Sequence, residues 1–415
     1  MDAIGSSLVI HDAWSEQPWT IEGARVEVSL ICFCAPDLKP SKFHLDGAEV
    51  TTINADLTTG VDVTQAKSLR ENSDSAFIGI QTTGPLDISG EMARSWLIQP
   101  TNPNGRANRE VLKPYWNGDD VTGRPRDRWL IDFPLGQSQQ DASAFETPFE
   151  YLKRADYVAE RGKPPVPFAH YRATTPGQNS SWWEPHRPRP AMRRLIERLH
   201  RYIVTPETAE HRLFIWLRYP ILPDKNLIVI ARDDDTAFGI LHSRFHELWS
   251  LRLGTSLEDR PRYTLTTTFA TFPFPEKMTP DLPASTYAEL ATAKNIAAAA
   301  RQLVELRDAW LNPPELVDWQ PEIAQGFPKR AIPVSPSAAK LLQSRTLTNL
   351  YNERPTWLDA AHRALDATVA QAYGIQPDMS DEGILTVLLD LNSRRLEANG
   401  KMAPNLLGEL SSNNT

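Results

Sequence analysis

The chain has few cysteines and no long apolar run. Cys32 and Cys34 are the two cysteines among 415 residues, and they stand two apart in an apolar, strand-like segment. Such close neighbours cannot cross-link a fold, so we expect buried, reduced thiols and a cytoplasmic protein. No run of about 18 apolar residues occurs, and the N-terminus lacks a basic segment followed by an apolar one. The sequence therefore predicts neither a membrane span nor a secretory signal.

Familiar catalytic and metal-binding motifs are also missing. The sequence contains no GxSxG, Walker A or paired CxxC pattern. His242 and His246 have the spacing of zinc-binding HExxH helices, but Ser243 stands where the catalytic Glu is needed, and no third ligand is evident. We therefore expect both histidines to share one helical face in a structural or DNA-facing role. The acidic run 233–235 is interpreted as a polar turn that caps the following helix, rather than as a Mg²⁺ site.

The charge is unevenly distributed along the chain. The net charge of −8 by itself argues against nucleic acid, yet residues 101–275 contain 25 Lys and Arg against 21 Asp and Glu. The rest of the chain contains 19 against 31. DNA affinity depends on local neutralisation of phosphates, so this basic middle between acidic ends is compatible with DNA binding.

Turn and periodicity signals predict an α+β fold. Residues 1–100 read mostly as strands, with a hairpin at Asp46-Gly47. Residues 101–275 mix strands and helices, and the last third reads as helical. The specific expectations are a helix over 191–202, a helix over 238–253, an extended run over 264–269, a helix stop at Asn312-Pro313-Pro314, a linker over 314–337 and a helix C-cap at Gly374.

Arginine-rich segments in the middle region are candidates for DNA contact. Residues 186–201 contain six Arg against one Glu, and GRPRDR (123–128) and DRPRY (259–263) are two shorter clusters. An Arg fork matches phosphate oxygens and can pair with guanine, although a solvated helix face explains the first segment equally well. Trp182 and Trp183 could stack on bases, but a packed aromatic corner is preferred. The predicted DNA-binding residues are Arg124, Arg126, Arg128, Arg187, Arg189, Arg193, Arg194, Arg244, Arg252, Arg260, Arg262 and Tyr263.

The densest pattern in the sequence carries a family resemblance. Residues 242–275 (HSRFHELWSLRLGTSLEDRPRYTLTTTFATFPFP) resemble the end of the target recognition domain in large adenine-N6 DNA methyltransferases of restriction–modification type. Similar blocks follow the family's order along the chain, at 13–14, 18–19, 23–33, 101–132, 211–217, 229–275 and 347–392. The chain thus resembles the C-terminal portion of the class I S-adenosylmethionine-dependent enzymes of type IIG-like systems. This implies a partial methyltransferase sheet of last Rossmann-like strands (1–100), a mixed α/β target recognition domain (101–280) and a C-terminal helical domain (281–415).

The sequence departs from this family in its catalytic motifs. Adenine methylation needs a glycine loop for S-adenosylmethionine and an Asp/Asn-Pro-Pro-aromatic tetrad that stacks on the flipped base. Asn312-Pro313-Pro314 is followed by Glu315, which has no aromatic face, and no cofactor loop is convincing. We therefore predict no catalytic, cofactor-binding or metal-binding residue in this chain. S-adenosylmethionine is expected only in the complete enzyme.

These observations together predict a DNA recognition component. It would bind double-stranded DNA and act with a partner polypeptide that carries the methyltransferase motifs, in a restriction–modification or phage-defence system. A partial sheet exposes an edge and an apolar face, so we expect solubility mainly with that partner. The alternative is a protein-interaction module or an inactive, truncated remnant.

Overall fold

A computed structural model describes residues 8–21, 24–158, 164–175, 181–257 and 260–402. The fold is mixed α and β, as predicted. The strands are β1 (Val9–Ile21), β2 (Ala24–Cys34), β3 (Phe43–Leu45), β4 (Ala48–Val50), β5 (Ala76–Ile78), β6 (Asp87–Ser89), β7 (Leu112–Trp116), β8 (Arg128–Ile131), β9 (Asp156–Tyr157), β10 (Val166–Pro167), β11 (Arg201–Pro206), β12 (Ile215–Arg218), β13 (Leu222–Pro223), β14 (Leu227–Ile230), β15 (Thr255–Leu257), β16 (Arg260–Arg262), β17 (Val317–Gln320) and β18 (Arg330–Pro333). The helices are α1 (Gly90–Leu97), α2 (Gly118–Thr122), α3 (Gln139–Ser143), α4 (Glu146–Arg154), α5 (Phe168–Thr174), α6 (Pro190–Ile196), α7 (Asp235–Leu241), α8 (Arg244–Leu253), α9 (Ala291–Leu311), α10 (Pro336–Ser344), α11 (Leu347–Glu353), α12 (Thr356–Tyr373) and α13 (Asp381–Met402).

The first four strands form a small mixed sheet in the order β2-β1-β3-β4. The predicted Asp46-Gly47 hairpin is confirmed, because it joins β3 to β4 with φ of +53° and +80°, the positive values that a type I′ turn requires. The prediction of buried thiols was wrong: Cys32 is exposed and Cys34 is half-buried, and both are free. Both lie on β2, an edge strand of this sheet, and neither cysteine belongs to the small hydrophobic core of the sheet.

A second sheet, β12-β11-β14-β5, separates the two larger hydrophobic cores. Successive side chains of a strand point to opposite faces. Ile203 and Ile230 accordingly pack into the first core, and Val204 and Val229 into the second. Burial on both faces explains why β14 is the uninterrupted apolar run LIVI.

Each large core combines distant parts of the chain. The first core unites the segments around 203–287 with helices α9, α12 and α13, and so crosses residue 280. The second core runs from Ile80 to Val229 and crosses residue 100. The domain boundaries at 100 and 280 stay predictions.

The structure corrects four local predictions. The helix over 238–253 is two helices, α7 and α8, which meet at His242 and Ser243, so His242 and His246 do not share one helical face. The run predicted as extended over 264–269 is instead a turn that covers 265–271, and Thr268 Oγ1 stabilises it by donating to Thr264 O at 2.8 Å. The helix over 191–202 ends at Ile196, before β11 begins. The linker over 314–337 contains the β17–β18 hairpin.

Other local predictions are confirmed. Helix α9 ends at Leu311, directly before the Asn-Pro-Pro run, and Gly374 caps α12 with φ +70°. Asp234, in the acidic run, accepts a hydrogen bond from Ala237 N at 2.8 Å and caps α7. Across the part of the chain that the structure describes, none of the helices combines the length and the apolar character needed to cross a bilayer.

Candidate nucleic-acid interface

The β15–β16 hairpin presents arginines to solvent. Thr255 pairs with Arg262 and Leu257 with Arg260, and the turn between the strands lies outside the described residues. The Arg260 side chain is exposed and has no hydrogen-bond or ion-pair partner among the described residues. Arg262 is about half exposed and pairs with Glu207 at 2.6 Å.

A glycine brings this hairpin close to the preceding helix. Gly254 ends α8, and a Cβ at this position would lie 2.6 Å from two backbone oxygens, those of Arg262 and Ser250. Real Cβ atoms do not approach backbone oxygens so closely. Only a residue without a side chain therefore allows the hairpin to pass this close to the end of α8.

Backbone hydrogen bonds hold the base of the hairpin against the segment after β11. Tyr263 N donates to Glu207 O at 2.7 Å, and Thr208 forms an isolated β-bridge with Arg262. This segment extends a strand that is buried on both faces, so the hairpin stands on a rigid part of the fold.

Arg212 supports the hairpin from below. Its guanidinium donates to Thr205 Oγ1 at 2.9 Å, to Pro206 O at 2.6 Å and to Pro261 O at 3.2 Å. It also lies over the Tyr263 ring, 5.0 Å from the centroid. Burial lowers the pKa of Arg212 to about 10, which leaves the side chain positively charged at neutral pH. Sequence analysis missed this residue, because a single Arg in the apolar run RLFIWL gives no signal of its partners.

Tyr263, a predicted DNA-binding residue, lies inside the molecule. Its side chain is 1% exposed, and its hydroxyl lies 2.8 Å from His246 Nε2. Burial lowers the pKa of His246 to about 3, so this histidine is neutral at physiological pH. In this structure Tyr263 anchors the hairpin and does not face solvent.

The two predicted arginines of α8 face the C-terminal helix. Arg244 is paired with Asp381, and Arg252 donates to Glu382 at 2.9 Å and to Thr58 Oγ1 at 2.9 Å. These contacts hold α8 against α13.

The 123–128 cluster is also engaged internally. Arg124 donates to Leu311 O at 3.0 Å and to Asn312 Oδ1 at 2.9 Å, at the end of α9. Arg126 pairs with Asp120 at 3.2 Å, and Arg128 pairs with Asp87. Arg126 and Arg128 keep partly exposed side chains, so their predicted DNA contacts stay predictions.

The 186–201 cluster divides into exposed and buried members. Arg187 and Arg194 are exposed, with no carboxylate partner among the described residues. Arg189 is half-buried and donates to Gly79 O at 3.2 Å. Arg193 is buried and makes a bidentate pair with Asp132, at 2.7 Å for both hydrogen bonds. A phosphate contact by Arg193 would require breaking this buried pair.

The aromatic and histidine candidates are internal. Trp182 and Trp183 are both buried with ring centroids 5.7 Å apart, which confirms the packed aromatic corner. His242 lies at the end of α7, where its Nδ1 accepts from Phe214 N at 3.1 Å and its Nε2 lies 2.9 Å from Tyr351 Oη. Burial lowers the pKa of His242, which fits a structural role. No group of three or more potential metal ligands occurs within the described ranges.

The predicted arginines therefore do not form one continuous patch. Two stand on the β15–β16 hairpin, two join α8 to α13, and the rest are distributed around the second core. Of the predicted DNA-binding arginines, those that are exposed and lack a carboxylate partner among the described residues are Arg187, Arg194 and Arg260.

Comparison with known proteins bears on the segment that contains this hairpin. Residues 172–276 match the family model described as the target recognition domain of MmeI. A solved structure of the Type IIL restriction-modification enzyme MmeI in complex with DNA is similar to this chain, with a TM-score of 0.66 and 18% sequence identity. The similarity covers 95% of this chain and 47% of that chain, so this chain spans about half of that protein's length. At this identity the likeness shows a shared fold. No curated protein matches the chain.

Proposed function

We propose that this chain is the DNA recognition part of a site-specific adenine-N6 DNA methyltransferase of a restriction–modification or phage-defence system. The observation that carries the proposal is the match of residues 172–276 to the MmeI target recognition domain, because this segment contains the β15–β16 hairpin. Support for adenine as the methylated base comes from the sequence blocks that resemble adenine-N6 enzymes.

The hairpin has the properties of a base-reading element. The major groove of B-DNA admits a two-stranded β-ribbon, and an Arg side chain pairs bidentately with guanine O6 and N7. The Arg260 side chain is available without breaking a bond to any residue that the structure describes. To contact DNA, Arg262 must first break its ion pair with Glu207. A solvent-exposed ion pair of this kind stabilises a protein by only about 0.2–1 kcal/mol. The buried support by Arg212 and Tyr263 keeps the ribbon in a fixed orientation.

A partner polypeptide is the second part of the proposal. The β1–β2 hairpin exposes large apolar side chains, and Trp14 and Leu30 are directly opposite each other on one face. Trp19 and Ile21 are each 52% exposed near its tip. An exposed apolar surface of this kind is typical of an interaction site. We assign it to a polypeptide that carries the remaining methyltransferase motifs, since the matched restriction–modification enzyme is about twice as long as this chain.

The methyl donor belongs to that partner in this proposal. No residue of this chain is proposed to hold S-adenosylmethionine or to act on the adenine. The task of the described residues is to bind the duplex and to orient it.

The proposal is tested by titrating the full chain onto a random-sequence duplex at about 50 and 200 mM salt. We expect binding that weakens strongly at the higher salt concentration. Arg194→Ala, which changes an exposed arginine without a carboxylate partner among the described residues, should weaken it, whereas Arg394→Ala, which changes an exposed arginine of α13 paired with Asp390, should not. Absence of binding at both salt concentrations, with and without the partner, would contradict the proposal.

A further inference from the structure

A groove on the surface of the second core lies beside Lys113. It consists of two cavities with volumes of about 270 and 340 Å³, which share Glu110, Lys113 and Tyr219 as lining residues. Lys113 lies on β7, and Tyr219 follows β12. The shared residues place the two cavities side by side, and together they are called the groove.

Lys113 has no carboxylate partner in this groove. Its ammonium donates to Arg109 O at 3.5 Å, and no ion pair to it is found within the described ranges. The adjacent carboxylates are already engaged, because Glu110 pairs with Arg106 at 2.6 Å and Asp132 pairs with Arg193. Burial lowers the pKa of Lys113, and this effect exceeds the opposing attraction of the Asp132, Glu110 and Glu197 carboxylates.

The rim of the groove adds further positive charge. Arg109 lines the smaller cavity and Arg194 the larger one, and both are exposed, with no ion pair among the described residues. Glu197 is the remaining carboxylate on the lining. Three cations that form no ion pair among the described residues therefore share the groove with one exposed carboxylate, Glu197. Tyr219 and Phe327 supply flat aromatic surface beside these cations.

We infer that this groove binds the phosphodiester backbone of a DNA strand, with Lys113 at its centre and Arg109 and Arg194 on its rim. The inference rests on the proposed DNA-binding function and extends it to residues outside the matched segment. A phosphate would give these three cations an anionic partner, and a charge-assisted hydrogen bond from an ammonium to a phosphate is a strong one. Proteins that bind a nucleic-acid strand often combine positive side chains with aromatic rings in one groove.

The groove and the base-reading hairpin lie at opposite ends of β11. Tyr202, near the start of this strand, donates its hydroxyl proton to Ile221 O beside the groove, and Glu207, just after its end, contacts the hairpin. A strand of this length spans roughly 17 Å, at about 3.3 Å per residue. This corresponds to about five base pairs of B-DNA, at 3.4 Å for each base pair. A single bound duplex can therefore reach from the groove to the β15–β16 hairpin.

The test is the salt dependence of binding by the full chain to a random-sequence duplex. Each phosphate contact contributes about 0.9 to the slope of log K against log salt concentration. Each of the variants Lys113→Gln, Arg109→Gln and Arg194→Gln should reduce the magnitude of this slope by about 0.9, which is the contribution of one phosphate contact. Lys113→Arg keeps the positive charge and should keep the slope of the wild type. Lys340→Gln, at an exposed lysine of α10 outside the groove, is the matched control and should leave the slope unchanged.

The rim variants keep the test independent of folding, because Arg109 and Arg194 are exposed. If the wild-type chain binds DNA and all three glutamine variants keep its slope, the groove assignment is wrong while the proposed function stands. If the wild-type chain does not bind duplex DNA with its partner present, both are wrong.

Discussion

Arg193 and Arg194 are sequence neighbours with opposite structural roles, which allows a sharp test. Arg193 is buried, and its guanidinium makes two hydrogen bonds of 2.7 Å to Asp132 and one of 2.6 Å to Pro188 O. Burial by itself lowers the pKa of Arg193, but the Asp132 carboxylate outweighs this effect and raises it. Arg194 is exposed and has no carboxylate partner among the described residues.

The two alanine variants should differ widely in stability. Arg193→Ala leaves the Asp132 carboxylate buried without its cation, which costs about 3–5 kcal/mol of unfolding free energy. Arg194→Ala removes an exposed side chain and should change the unfolding free energy by less than about 0.5 kcal/mol. For DNA affinity, the effect is expected at the other residue. The Arg194→Ala protein should fold normally and bind DNA more weakly than the wild type.

The assay is urea unfolding followed by tryptophan fluorescence. Trp96, Trp129, Trp182 and Trp183 all lie in the second core, which the Arg193–Asp132 pair borders. The double variant Arg193→Met/Asp132→Leu should recover most of the lost stability, because an apolar pair carries no unpaired buried charge. Equal midpoints for the two alanine variants, or a double variant as unstable as Arg193→Ala, would refute the reasoning.

Three further outcomes are expected. Burial lowers the pKa of His246 in the folded state to about 3, below its ordinary value of 6.5. The unfolded state therefore binds a proton more readily than the folded state does. As a result, the free energy of unfolding decreases as the pH falls below about 6.5. His246 alone should cost roughly 2 kcal/mol between pH 8 and pH 5, and equal urea midpoints at these pH values would contradict this. Gly254→Ala should displace the β15–β16 hairpin and weaken binding to a selected DNA sequence about tenfold, or about 1.4 kcal/mol, whereas Gly118→Ala, whose Cβ meets only ordinary contacts, should leave it unchanged. Trp19→Ser with Leu30→Ser should reduce self-association in sedimentation velocity without the partner, and a wild-type chain that stays monomeric at high concentration would argue against the proposed docking surface.

Turns and helix ends could be predicted from the sequence, because neighbouring residues determine them. Asp46-Gly47 specifies its turn because both residues tolerate positive φ, and Pro313 ends α9 because it cannot continue the hydrogen-bond ladder. The fold class followed from these signals. The break between α7 and α8 was missed, because it depends on contacts of His242 with Phe214 and Tyr351, which are distant in sequence.

The candidate site was predictable in part for the same reason. An arginine cluster in a sequence does not show which members have remote carboxylate partners. Arg244 pairs with Asp381, 137 residues away, and Arg193 with Asp132, 61 residues away, whereas Arg260 has none within the described ranges. Lys113 gave no signal at all, because its importance arises from a groove that Tyr219 and Arg194 complete.

The proposed reading of DNA sequence by the β15–β16 hairpin can be measured by selection from a randomised duplex library. The full chain, with its partner if one is needed for solubility, is used to enrich bound duplexes, which are then sequenced. The account predicts a defined motif for the wild type and for Arg394→Ala, and a motif with one or more relaxed positions for Arg260→Ala. An identical motif for Arg260→Ala and the wild type, or no enriched motif for the wild type, would contradict it.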